Sequence, residues 1–156
     1  MQEEKNEHLR PLTAFTVKIV RDNVAALYET SAFAEGDLKE MPRLVRRAVA
    51  LGRSCTDPLA VLAALLTPPH DELLSLQLHP LQASVPRAAR RAAVEELLIT
   101  AVAQTGVCVN ACAAKDWLAP LLQFVPGLGP RKAAHVLKVR PACLRVGVSL
   151  RCDLRT

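Results

Sequence analysis

The chain has 156 residues, of which 51% are hydrophobic but only 3% aromatic, and its 20 Lys and Arg against 15 Asp and Glu give a net charge of +5. That length suits one ordinary core or two small pieces of larger domains, and a core built from Leu, Val and Ala favours helices. No run approaches the roughly 18 uninterrupted apolar residues of a membrane span, and the charged start MQEEKNEHLRPL lacks the apolar stretch of a secretory signal.

Along the chain, residues 13–20 (TAFTVKIV) read as a strand, rich in β-branched and aromatic residues. A lone strand needs pairing partners, and no second convincing strand follows, so it reads as the end of a sheet domain. Asp22 or Asn23 can cap a short helix through about Tyr28, and a turn containing Gly36 separates it from the next segment. From Pro42 the period becomes helical, with Leu44, Val45, Ala48 and Val49 on one face and Arg43, Arg46, Arg47 and Arg53 on the other. Asp57-Pro58 restarts a helix as N-cap and first helical residue, with the apolar run 59–66 as a short buried helix ending before Pro68-Pro69. A linker, HDELLSLQLHPLQ, runs on towards Pro86.

The clearest helix covers residues 87–105. Its stripe is Val94, Leu97, Leu98, Ala101 and Val102, and Gly106 closes it. Asp116 can cap a further helix carrying Leu118, Leu121, Leu122 and Val125, with Pro120 tolerable in its first turn. Five cysteines, Cys55, Cys108, Cys112, Cys143 and Cys152, form no CxxC pair. Cys108 and Cys112 lack histidines at zinc-ligand spacing, so reduced thiols and no metal or other cofactor are expected.

The most informative stretch is LLQFVPGLGPRKAAHVLK, residues 121–138. Gly127 and Gly129 allow a sharp turn and a close backbone approach, and Leu128 between them can fill the gap between two helices. Pro130 suits the first position of a helix running to about Lys138. The free N–H groups of its first turn make an anion site, beside which Arg131 and Lys132 add charge. Such a site holds a phosphate without reading base sequence. The pattern is that of a helix-hairpin-helix motif, which predicts DNA or RNA contact through Gly127, Leu128, Gly129, Arg131 and Lys132. A compact helix connector or protein-binding corner is the alternative reading.

Three segments together carry a wider resemblance. They are DNVAALYETS with LVRRAVALGR and TDPLAVLA; then LLSLQLHPLQ; then TGVCVNACAA leading into the hairpin. In this order they resemble the suppressor-of-Ty-six family of transcription elongation factors, eukaryotic relatives of bacterial Tex, from about Ile19 to Lys138. The resemblance implies a mainly α chain: a helix-hairpin-helix domain preceded by the terminal strand and helix of an RNase-H-like (YqgF-like) α/β domain. Residues 1–40 would be that remnant, 41–138 the helical region with the motif at 118–138, and 139–156 an atypical tail where the likeness stops. It also implies a nuclear, non-catalytic histone chaperone and elongation factor, partnered by nucleic acid, the RNA polymerase II elongation complex and histones. The family's acidic residue in its GVDVN segment is Cys108 here. The family's other regions are absent, so the expectation is a fragment of a longer protein.

Rival readings rest on fewer residues. A helix-hairpin-helix DNA glycosylase with lyase activity needs a nucleophilic Lys two residues past the second hairpin glycine. Arg131 stands there and Lys132 comes one place late, with Asp153 further along, and arginine forms no Schiff base. Metal-dependent nuclease chemistry needs converging carboxylates, but Asp22, Glu29, Glu35 and Asp37 fall on one local helix and turn. Glu95-Glu96 read as a wet helix face, and His70, His79 and His135 have no catalytic companions. A purely protein-binding helical module, using the arginines of residues 43–53 against an acidic partner, is the third rival.

Overall fold

The computed structural model describes residues 19–68 and 70–143, with side chains to residue 139. Among the described residues the structure is helical, with seven α-helices: α1 (Asn23–Glu29), α2 (Ala32–Asp37), α3 (Arg43–Thr56), α4 (Pro58–Leu66), α5 (Arg87–Thr105), α6 (Val109–Ala114) and α7 (Gly129–Cys143). Three 3-10 helices, Glu72–Ser75, Pro80–Ser84 and Asp116–Phe124, fill the connections. The mainly α expectation holds. The strand read at residues 13–20 lies outside the described residues except for Ile19 and Val20, which are in no regular element.

Helix α4 is apolar on every side, so it must be covered on every side. Ala60, Ala63 and Leu66 face a cluster with Leu98, Val102, Cys112, Leu122 and Phe124. Val61, Ala64 and Leu65 face a second cluster with Ala25, Tyr28, Ala34 and Ala50. Helices α1 and α2 therefore pack on α3 and α4. Pro58 occupies the first turn of α4, where its missing N–H costs nothing.

Several local expectations change. The turn expected around Gly36 is helix α2, capped by buried Ser31, whose hydroxyl accepts from the Ala34 N–H at 3.1 Å and donates to the Tyr28 carbonyl at 2.8 Å. Asp22 precedes α1 but its carboxylate does not cap; it pairs with Arg47. Helix α3 turns the opposite way from its hydrophobic stripe. Leu44 is 78% exposed and Val45 and Ala48 are also exposed, while Arg46, Arg47 and Arg53 face α1 and α2. Arg46 donates to the carbonyls of Leu38 and Met41, and Arg53 to Asp37 and the Tyr28 hydroxyl. Carboxylates and open carbonyls on that side outweigh the mild burial gain of Leu44 and Val45, because arginine stems also bury apolar surface.

In α5 the core is met by Leu98 and Val102, with Val94 and Ile99 packed beside them, while Ala101 is half-buried and Leu97 is 69% exposed. The helix expected after Asp116 is a 3-10 helix with Lys115 as its cap. Pro120, without an N–H, sits inside it, and the tighter winding aligns Leu118, Leu121 and Phe124 at intervals of three on the buried side. Val125 ends the element instead of extending its stripe.

Candidate nucleic-acid interface

The hairpin starts where the Asp116–Phe124 helix ends. Its Leu121, Leu122 and Phe124 are buried, anchoring one limb in the core. Val125 is extended, and the Leu128 N–H donates to the Val125 carbonyl at 3.0 Å, closing the turn. Gly127 and Gly129 have φ of 80° and 61°, the left-handed region that glycine enters at little cost. Leu128 packs against the main cluster, as does Leu137, and Ala133 is buried, so the second limb is pinned on the same core. The five residues predicted for the site thus lie together on one turn and the start of α7.

The space a Cβ would occupy at Gly127 or Gly129 holds no atom within 4 Å. The glycines are needed for their backbone conformation, and among the described residues no neighbouring backbone presses against them. Their open faces are free for a partner. Pro130, Arg131 and Lys132 are exposed, and no acidic residue stands in the first turn of α7. Lys132 reaches back and donates through Nζ to the Gly127 carbonyl at 3.0 Å. Its charge therefore sits over the turn. Spacing alone could not foretell that contact. The helix start, with its unpaired N–H groups and dipole end, adds further positive character at the same place.

The carboxylates considered for metal chemistry do not converge: Asp22 and Glu29 pair with Arg47, and Asp37 with Arg53. Among the described residues no group of three His, Cys, Asp or Glu stands close enough to hold a metal ion. His70 lies 3.7 Å from Glu72, and His79 accepts from the Leu81 N–H. Asp153 lies outside the described residues. Of the arginines that a protein-binding reading would aim outward from α3, Arg46, Arg47 and Arg53 are engaged inside the chain, while Arg43 is exposed.

A separate cavity of about 470 Å³, which shares Leu121 with the first limb of the hairpin, is lined by Asp57, Leu59, Val107, Cys108, Cys112 and Leu118 among others. Burial pushes the Asp57 carboxyl above its ordinary 3.8, only partly opposed by the Ala60 N–H. The folded state thus binds this proton more tightly than the unfolded one. The associated stability is complete below the ordinary value and is lost as pH rises through the folded value. Asp57→Asn, which keeps a good capping residue, is expected to raise Tm slightly at neutral pH. Thermal melts across acidic pH check this: the difference from the parent must shrink below about pH 4, and a constant difference would exclude ionisation as its cause.

The model of a helix-hairpin-helix motif family matches residues 71–153, carrying on past Lys138, where the sequence likeness was expected to stop. The Transcription elongation factor SPT6 homolog of Arabidopsis thaliana is 39% identical over 121 residues, covering 78% of this chain and 7% of that protein. SPT6 of Drosophila melanogaster is 35% identical over 136 residues, 87% of this chain and 7% of its own. SPT6 of Candida albicans is 35% identical over 124 residues, 78% and 9% respectively. The chain therefore spans less than a tenth of the length of these relatives.

Proposed function

The chain belongs to the helix-hairpin-helix family, and from that premise we propose that it is a non-catalytic, nucleic-acid-binding module of a nuclear transcription elongation factor. The observation that carries this is the hairpin itself: two left-handed glycines with open faces, an acid-free helix start, and Arg131 and Lys132 exposed beside it. A sugar–phosphate backbone fits that surface: it approaches glycine closely, accepts from helix N–H groups and pairs with the two cations. Contact through phosphates alone reads no sequence. On this reading residues 1–40 are the end of an RNase-H-like domain, 41–138 the helical region, and 139–156 a tail. The similarity to SPT6 elongation factors supports a place with the RNA polymerase II elongation complex and histones.

The test is fluorescence anisotropy with duplex and single-stranded DNA at several salt concentrations. The chain is expected to bind both weakly, with log K falling by about 0.7–0.9 per phosphate contact per decade of salt. Gly127→Glu/Gly129→Glu is expected to abolish binding. Arg131→Ala, at an exposed position, is expected to keep the fold and flatten the salt slope by about one contact. Circular dichroism of each variant separates lost binding from lost folding. Equal binding by folded variants and parent would make the hairpin a purely architectural corner.

A further inference from the structure

The linker between α4 and α5 carries LLSLQLHPLQ, and the hairpin gives it no role. It is a built loop. The Gln82 side chain accepts from the Leu78 N–H at 3.0 Å and donates to the Leu76 carbonyl at 2.8 Å. His79 Nδ1 accepts from the Leu81 N–H at 3.1 Å, and Pro80 opens the following 3-10 helix. These bonds fix the backbone around two leucines that stand in water, Leu78 at 80% and Leu81 at 68% exposed. Exposed apolar side chains on a clamped backbone are preorganised for contact, since little entropy is lost when a partner covers them.

Beside these leucines opens a cleft of about 690 Å³, with Leu78 and His79 on the loop side and Arg87 and Arg90 from the first turn of α5 opposite. No acidic residue lines it. The Arg90 Nε is buried without a hydrogen-bond partner among the described residues, and its Nη1 reaches the Leu74 carbonyl only at 3.5 Å. Arg87 stands 3.7 Å from Asp71, whose close ion pair is with Arg91. With Nδ1 of His79 accepting, the neutral ring carries its proton on Nε2, a further donor. The cleft is rich in donors and flanked by aliphatic side chains. Its one aromatic ring is the His79 imidazole, and no Phe, Tyr or Trp lines it as a stacking platform for bases.

We propose that this cleft docks an acidic peptide segment carrying large apolar side chains. Its carboxylates pair with Arg87 and Arg90, and an apolar side chain lies on Leu78, the exposed leucine that lines the cleft. The probe is a fluorescent synthetic peptide of Glu and Leu in alternating pairs, titrated against the whole chain, with a Glu→Gln peptide as control. Saturable binding to the Glu peptide alone is expected, weakened about tenfold in Arg87→Ala and in Leu78→Ser, which corresponds to one well-placed contact each. Both side chains are exposed, so the variants should fold, and melting curves check that they do. The hairpin variant should bind the peptide normally, which keeps this site distinct from the phosphate surface. The idea is overturned if the peptide does not bind, if the Gln peptide binds equally, or if the variants bind as the parent does. It is equally overturned if Arg87→Ala weakens DNA binding and leaves the peptide unaffected, since the cleft would then belong to nucleic acid.

Discussion

Leu65→Ala is expected to lower the unfolding free energy by about 2–5 kcal/mol, and Leu66→Ala by a similar amount, although the two residues are adjacent in sequence. Both side chains are fully covered, Leu65 in the cluster with Tyr28 and Ala50, Leu66 in the cluster with Leu98 and Phe124. Removing either leaves a cavity that close-packed neighbours fill only partly. Against a total of about 5–15 kcal/mol for an ordinary domain, one such loss brings the chain near its threshold. Urea unfolding followed by far-ultraviolet circular dichroism measures each cost. Because the two leucines are neighbours and Leu73 packs against both of their clusters, the departure of the double variant from the simple sum measures how far the clusters are coupled. A Leu65→Ala midpoint equal to the parent's would mean that α1 and α2 do not pack on α4 in solution.

Helix α4 was readable because nothing competes with an apolar run bounded by Asp-Pro and Pro-Pro. Helix α3 was not, because its sequence offers two faces. Hydropathy favours the face of Leu44 and Val45, whereas Asp22, Glu29 and Asp37 on the preceding helices draw the arginine face inward. Those partners are distant in sequence, so no local period announces them. The same limit explains Leu97: its spacing fits the α5 stripe as well as Leu98 does, and only the position of the neighbouring elements chooses between them. Pro120, tolerable by sequence in the first turn of a helix, instead sits inside a segment that winds as a 3-10 helix.

The hairpin is the opposite case. Gly127 and Gly129 were readable because positive φ demands a residue without a Cβ, and that demand is local. What sequence could not supply was the reach of Lys132 to the Gly127 carbonyl, which places its charge over the turn. Nor could it show that the LHPLQ segment holds two leucines out in water, since Gln82 closes that loop through its side chain.

Arg53→Ala is expected to cost about 3 kcal/mol, unusual for a residue that composition alone would place on the surface. Its Nη1 donates to the Tyr28 hydroxyl at 2.8 Å and to Asp37 at 2.6 Å, and its guanidinium lies 5.1 Å from the centre of the Trp117 ring. Truncation leaves a buried hydroxyl without its donor and a carboxylate without its cation, and removes the cover from one face of the indole. Arg53→Lys keeps the charge but not the planar guanidinium that lies over the Trp117 ring, so it should fall between parent and alanine. Tyr28→Phe removes the orphaned hydroxyl, so the Tyr28→Phe/Arg53→Ala double variant should lose less than the two single costs combined. Additive costs would show that the pair does not interact.

The same site predicts an alkaline limit. Burial raises the Tyr28 phenol above its ordinary 10.0, with Arg53 opposing it and Asp37 reinforcing it. The folded state therefore holds this proton more tightly than the unfolded state does. The stability it contributes is complete below about pH 10 and is lost as pH rises through the folded value. Tyr28 is the single tyrosine of the chain, so the tyrosinate absorbance reports it alone. That absorbance is expected to appear together with loss of the helical signal as alkali is added. Tyrosinate forming at its ordinary pH in a chain still fully helical would show the phenol to be solvent-reached, and the Arg53 contact with it to be open.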